Sequence, residues 1–343
     1  MLKRLSPAER ALILLDEYAN AIRDAFMSAI FGIRSSVILR LFIMRVEQND
    51  VSGAIQALNI EPAAFNPMLD EIAKAYNAGG NGTIGDLPPL RDPQGFRINL
   101  LFDARNPTAE AWLRQHSSTL VTEIVDDQLN SIRAALAAGQ VTGASPLKTA
   151  LDIVGRINRA TGQRSGGIIG LTSSQAEWVR AYRTELEALD ANALTRALRD
   201  PRFDRTVRKA IEAEKPLTKE AVDKMVMAYE NRALRYRGEA IARSESLTAL
   251  NASSDEAMRQ NIASGKISAA LVDQKWRTNM DGRERASHGA MNEQVQPWGS
   301  NFVSGAGVRL QYPGDPSAPA SETVNCRCSR TFIIRKEPRP LLQ

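Results

Sequence analysis

Apolar residues recur at helical spacing along most of the chain, and the breaks between these runs predict a mainly α protein. The first run, LSPAERALILLDEYANAIRDAF, opens with Ser6 as N-cap, Pro7 at the first helical position and Glu9 closing a capping box. Its periodicity continues through Met44. A short helix is predicted from Val51 to Leu58 and another from Pro62 to Tyr76. NAGGNGT then interrupts the pattern with three glycines, and residues 79–105, rich in Pro, Gly and Asp, predict a linker or irregular arm. Periodicity resumes at Asn106-Pro107 and runs to Gly139, then restarts at Ser145-Pro146 and at Thr172, whose capping partner is Gln175. Thr218 caps the longest run, one helix or a pair of helices ending at Gly265.

After Gly265 the texture changes. ISAALVDQKWRT and RTFIIR have strand character, and FVSGAGVRLQYPGDPSAPAS is rich in Gly and Pro. The expected fold is therefore mainly α, an elongated multi-helix body with a small α+β C-terminal module. The expected segments are an N-terminal helical region (1–78), the arm (79–105), a central helical region (106–234), the module (235–335) and a solvated tail (336–343).

Composition narrows this picture only a little. Hydrophobic content of 43% is enough for real cores, and the net charge of +5, from 44 basic and 39 acidic residues, permits contact with nucleic acid without arguing for it. The most apolar stretch, residues 26–44, is interrupted by Arg34 and Arg40, which argues against a membrane span and for a helix buried on most faces or packed on a partner. Two close cysteines make no secreted disulfide framework, so a soluble chain made in the cytoplasm is expected.

The candidate chemistry lies near the C-terminus, where SETVNCRCSRTF holds both cysteines, Cys326 and Cys328. A disulfide across one intervening residue closes a strained ring. Zinc needs about four ligands; His288 is the obvious third, with Asp281 or Asp315 as fourth. Two small residues packed in a tight turn is the plainer reading. A thiolate activated by His288, with Asp281 orienting the imidazole, is the remaining one. His116, inside a helical run, is expected to be exposed or capped. Asp281-Gly282 has turn chemistry, and Arg283 and Arg285 beside it can pair with carboxylates or grip phosphate. Arg243 and Glu245 are candidates for an ion pair tying the long helix to the module. No phosphate-binding loop, dinucleotide fingerprint, HExxH or GxSxG is present.

Taken in order, EAIARSESLTALNAS, KWRTNMDGRERASH and YPGDPSAPASETVNCRC resemble the phage head morphogenesis family, the minor capsid proteins similar to protein F of phage Mu and to the portal-associated minor head protein of phage SPP1. The residues that fall on the family pattern are Arg243, Glu245, Trp276, Thr278, Asp281, Arg283, His288, Pro313, Pro316, Asn325, Cys326, Arg327 and Cys328, with Ser244 where Thr is usual. The match is strong over about the last 110 residues, looser over the central helices, and general in residues 1–105. This resemblance implies a virion structural protein and not an enzyme. Such a protein sits inside the head near the portal vertex, is assembled in the host cytoplasm, and assists head morphogenesis and DNA packaging or ejection. Its implied partners are the portal protein, the major capsid or scaffolding protein and packaged double-stranded DNA, bound without sequence selectivity; no membrane is implied. No cofactor is implied; some relatives carry more cysteines in this module, which keeps a structural zinc open. This sequence lacks a C-x-x-C before His288, so its candidate ligands stay those read from the residues, Cys326, Cys328, His288 and Asp281. Arg327, Arg330, Arg335 and Lys336 are the expected phosphate contacts. The competing expectations are a cysteine- or metal-dependent hydrolase or transferase in the module, and a non-specific DNA-binding protein.

Overall fold

The computed structural model describes residues 5–158 and 161–339. Helix starts fall where the capping residues put them. Helix α1 (Pro7–Ser36) begins behind a reciprocal box: Ser6 Oγ accepts from the Glu9 amide at 3.2 Å, and Glu9 Oε2 accepts from the Ser6 amide at 2.7 Å. Helices α2 (Leu39–Glu47), α3 (Val51–Ala57) and α4 (Asn66–Asp86) follow. Asn106 caps α5 (Pro107–Val141), Ser145 caps α6 (Pro146–Val154), and the Thr172–Gln175 box caps α7 (Ser173–Glu187). A short hairpin of β1 (Arg156–Ile157) and β2 (Arg164–Ser165) lies between α6 and α7. After α8 (Asp204–Glu212), α9 (Lys219–Ala263) runs 45 residues as one helix behind Thr218.

Beyond α9 come β3 (Val272–Arg277), α10 (Ala286–Gly289), β4 (Val295–Pro297), β5 (Phe302–Val303), β6 (Arg309–Leu310), α11 (Ala320–Thr323) and β7 (Ser329–Ile334). Strand β3 is central in an antiparallel sheet of order β4-β3-β7, with Trp276 opposite Arg330, and β5 pairs β6 separately. The fold is mainly α with a small α+β C-terminal module.

Contacts divide the chain into two units, each assembled from separated segments. One comprises Met1–Asp24, Met68–Ser117 and Glu239–Gln343; the other comprises Ala25–Pro67 and Ser118–Gly238. This differs from the linear succession of regions expected from sequence, because the first helical turns and α4 belong with the C-terminal module. Their apolar faces explain why. Leu15 packs in one core with Leu247, Leu250, Trp276, Met291, Phe302, Leu310 and both cysteines, and Leu12 and Leu14 lie against it.

The break expected at NAGGNGT does not occur, and α4 continues to Asp86. These glycines serve close approach. A Cβ on Gly79 would lie 2.5 Å from the Leu250 carbonyl oxygen and 2.4 Å from Ser253 Oγ, and one on Gly80 would lie 2.3 Å from the Phe102 ring. The arm after α4 is no free linker either. The Asn261 side chain bonds both the amide and the carbonyl of Leu101, and Leu87, Leu90 and Leu100 pack against Met258, Ile267 and Val272. Expected to be solvated, the tail is pinned as well: Arg335 and Arg339 each bond Asp273 at 3.0 Å. Residues 340–343 of that tail lie outside the described residues.

In the second unit the apolar stretch bends at residues 37–38, between α1 and α2, and buries Phe26, Ile30, Ile33 and Phe42. Arg34 is fully buried, its Nη2 donating to the carbonyls of Gly167 (3.1 Å) and Ile169 (2.6 Å). Glu230 Oε2 accepts from the Gly167 amide at 2.8 Å, and burial pushes this carboxyl up to about 7. Among the described residues no single helix is long and apolar enough to cross a membrane.

Candidate metal centre

Three local devices bring distant residues to one point in the first unit. Strand β3 ends at Arg277, and the following Thr278 uses its hydroxyl to bond the His288 carbonyl at 2.7 Å, which holds α10 against the strand end. The Asp281-Gly282 turn between them needs a glycine, since Gly282 has φ +80°. On the other side α11 leads into Asn325, a non-glycine residue at φ +57°. That cost is offset by anchoring to α9: the Asn325 amide donates to Ser244 Oγ (3.1 Å), and its Oδ1 accepts from Arg243 (3.2 Å). The turn then delivers Cys326 and Cys328 to the same side of the chain just before β7.

Both sulfurs face one ring nitrogen. His288 Nδ1 lies 3.5 Å from Cys326 Sγ and 3.4 Å from Cys328 Sγ, and the three donor atoms are within 4.8 Å of one another. All three residues are buried, at 4% exposure or less. The other ring nitrogen, Nε2, lies 2.8 Å from Glu322 Oε2, but the approach is too oblique for a hydrogen bond. Glu322 is itself buried and accepts from Ser287 Oγ at 3.1 Å. Behind metal-bound histidines a carboxylate commonly takes the far ring N–H, and Glu322 stands on that side of this ring. Trp276, fully buried, stands edge-on to the imidazole at 5.5 Å.

The thiols are free and inequivalent. Cys328 is pushed down to about 5, first by the bond it receives from the Cys326 thiol and then, against burial, by His288. Cys326 is pushed up by that same bond and by burial. Of the two, Cys328 gives up its proton more readily, and binding a cation on both sulfurs would release the protons that they hold. A tetrahedral zinc with Zn–S about 2.3 Å and Zn–N about 2.0 Å would set an S···N separation of roughly 3.5 Å, which these distances match. The donor set of two sulfurs and one imidazole fits zinc. A small cavity of about 20 Å³ adjoins the donors, walled by Asn279, Glu284, Arg285 and Asn325 and rimmed by exposed Asp281 and Arg283.

His288, Cys326 and Cys328 are thus brought together as the zinc reading requires, and the expected fourth ligands are not. Asp281 is engaged by Arg327 at the rim. Asp315 accepts from the amides of Gln311 (2.8 Å) and Ser317 (2.9 Å). The carboxylate beside the imidazole is Glu322, not Asp281 as the nucleophile reading supposed. Arg243 and Glu245 do tie α9 to other elements, but not as a mutual ion pair. Glu245 holds His116 Nε2 at 2.6 Å, and that ring stacks on Trp112 at 4.6 Å, so of the two expectations His116 is capped, by Glu245, and not exposed.

The expected phosphate contacts fare differently. Arg330 is buried: it bonds Asp255 (2.7 Å), Gln274 (3.1 Å) and the Asn251 carbonyl (3.2 Å), with its guanidinium over the rings of Tyr312 and Phe332. Arg327 is taken by Asp281 and Arg335 by Asp273. Each of these three has a carboxylate partner within the chain, and among the described residues Lys336 alone of the four is exposed without such a pair. Sequence reasoning missed Glu322 and Glu284, whose roles depend on tertiary placement; their closeness in sequence to Cys326 and His288 was the one available signal.

No family model, curated protein or solved structure matches the chain.

Proposed function

We propose that this chain is a minor head protein of a phage, a structural component that docks at the portal vertex inside the capsid and assists head morphogenesis and DNA packaging or ejection. The observation that supports this reading most is convergence. Motif residues from four separated segments, Arg243 on α9, Trp276 and Thr278 at the end of β3, His288 on α10 and Asn325 to Cys328 before β7, meet around one buried cluster. Residues that resemble a family pattern and also build a single structural knot are what a scaffold module requires. The major capsid or scaffolding protein is a further proposed partner, and contact with packaged DNA is non-specific. The test is co-expression with a candidate portal ring: the chain should co-purify with the ring and appear bound to it by electron microscopy. A chain that stays apart from portal rings and is missing from purified heads sinks the reading.

The knot itself is proposed to hold zinc on His288 Nδ1, Cys326 Sγ and Cys328 Sγ. The metal would cross-link α10 to the chain before β7, and so would stabilise the module. Full-length protein purified without chelator should carry about one zinc per chain, and Cys328→Ser should lose it. Metal-free protein with unchanged thermal stability would leave the cysteines as packing residues.

A further inference from the structure

Three protein donors leave one corner of a tetrahedral site without a ligand. The nearby carboxylates are spent elsewhere. Glu322 faces the far ring nitrogen, Asp281 is held by Arg327, and neither joins the three donor atoms in their cluster. What adjoins the donors instead is the cavity of about 20 Å³, which leads from buried His288, Cys326 and Cys328 to the exposed rim. A water molecule needs about 10–15 Å³, so the space admits one.

Glu284 supplies an independent observation. It lines this cavity, and its Oε2 is shielded from solvent yet has no hydrogen-bond partner among the described residues. A carboxylate oxygen withdrawn from water is costly unless something donates to it. Among the described residues none of the neighbouring donors reaches this oxygen: Arg285 bonds the Val324 carbonyl, Arg327 bonds Asp281, and the Thr278 hydroxyl bonds the His288 carbonyl. A donor placed in the cavity would satisfy it.

We infer that the fourth coordination position is open, filled by one exchangeable water that donates to Glu284 Oε2. The inference rests on the zinc reading above and deepens it. A closed structural site has four protein ligands, whereas this one holds the fold with three and keeps a solvent-facing position for a water-sized oxygen donor. Glu284 is then a positioning residue, acting on the metal through that water.

Cobalt(II) loaded into the full chain provides the test. Thiolate-to-cobalt charge-transfer absorption reports loading on the two cysteines, and broadening of the cobalt EPR signal in ¹⁷O-enriched water reports an exchangeable oxygen ligand. The expected result is both signals in the wild type. Charge-transfer bands without broadening would mean that a protein group closes the site; that overturns the inference and leaves the metal reading intact. Absence of the bands overturns the metal reading and the inference with it. For Glu284, cobalt affinity should fall about 10-fold in Glu284→Leu and be largely kept in Glu284→Gln, which retains an acceptor oxygen. Equal affinity in wild type and Glu284→Leu removes Glu284 from the role.

Discussion

Glu230 is a carboxyl that burial holds protonated well above the ordinary carboxylate range, at about 7 against 4.5. Between those two values the native state keeps a proton that the unfolded chain has released. Stability is therefore full below about pH 4.5 and declines as pH rises toward 7. Glu230→Gln keeps an acceptor for the Gly167 amide and removes the decline. Urea unfolding should find the variant equal to the wild type near pH 4.5 and more stable at pH 8, by about 3 kcal/mol at most. Parallel pH profiles would show that ionising Glu230 costs nothing. The site residues were legible to the extent that they carry unusual chemistry. Two cysteines one residue apart and a single histidine in the module stand out in any reading of the sequence, and His288, Cys326 and Cys328 do converge. Glu322 and Glu284 are common residues among many acidic ones, and only the fold separates them from the solvated rest. Whether His116 is exposed or capped was illegible for the same reason, since Trp112 and Glu245 define its surroundings from a helical turn away and from another helix.

Helix starts were legible because a cap is a contact within four residues. Ser6–Glu9 and Thr172–Gln175 need no tertiary information. Glycine in α4 is the opposite case. Propensity alone disfavours it, and its benefit lies in what another element can then do. The helix offers its own control. In Gly79→Ala the new methyl would meet backbone of α9 at 2.5 Å, whereas in Gly82→Ala it would meet only Leu14 Cδ1 at 3.7 Å, an ordinary contact. Thermal unfolding should find Gly79→Ala destabilised by about 1–3 kcal/mol and Gly82→Ala stabilised by roughly 0.5–1 kcal/mol. If both alanines stabilise, the close approach of α4 to α9 is wrong.

At the scale of the whole molecule, the C-terminal basic run offers less to DNA than its sequence suggests. The chain carries +5, yet Arg327, Arg330, Arg335 and Arg339, four of the five basic residues between 327 and 339, are spent on Asp281, Asp255 and Asp273. Binding to duplex DNA should accordingly be weak, indifferent to sequence and abolished by moderate salt. Arg330→Ala should leave that binding unchanged while lowering stability by about 3–5 kcal/mol, because Asp255 and Gln274 lose their shared donor. A selective loss of DNA affinity with intact stability would return Arg330 to the phosphate-contact role. The helical class was legible from periodicity, but the partition into units was not, since pattern along a chain says nothing about which distant runs pair.

That partition has a consequence for biosynthesis. Leu12, Leu14 and Leu15 find their packing partners at Leu247, Trp276 and Cys326, more than 200 residues later. At 5–20 residues per second, the ribosome would leave the opening turn waiting roughly 10–50 s, its greasy side uncovered. Nascent chains halted before residue 247 should recruit chaperones through this segment, and replacing the three leucines with serine should relieve that recruitment while preventing the finished polypeptide from maturing.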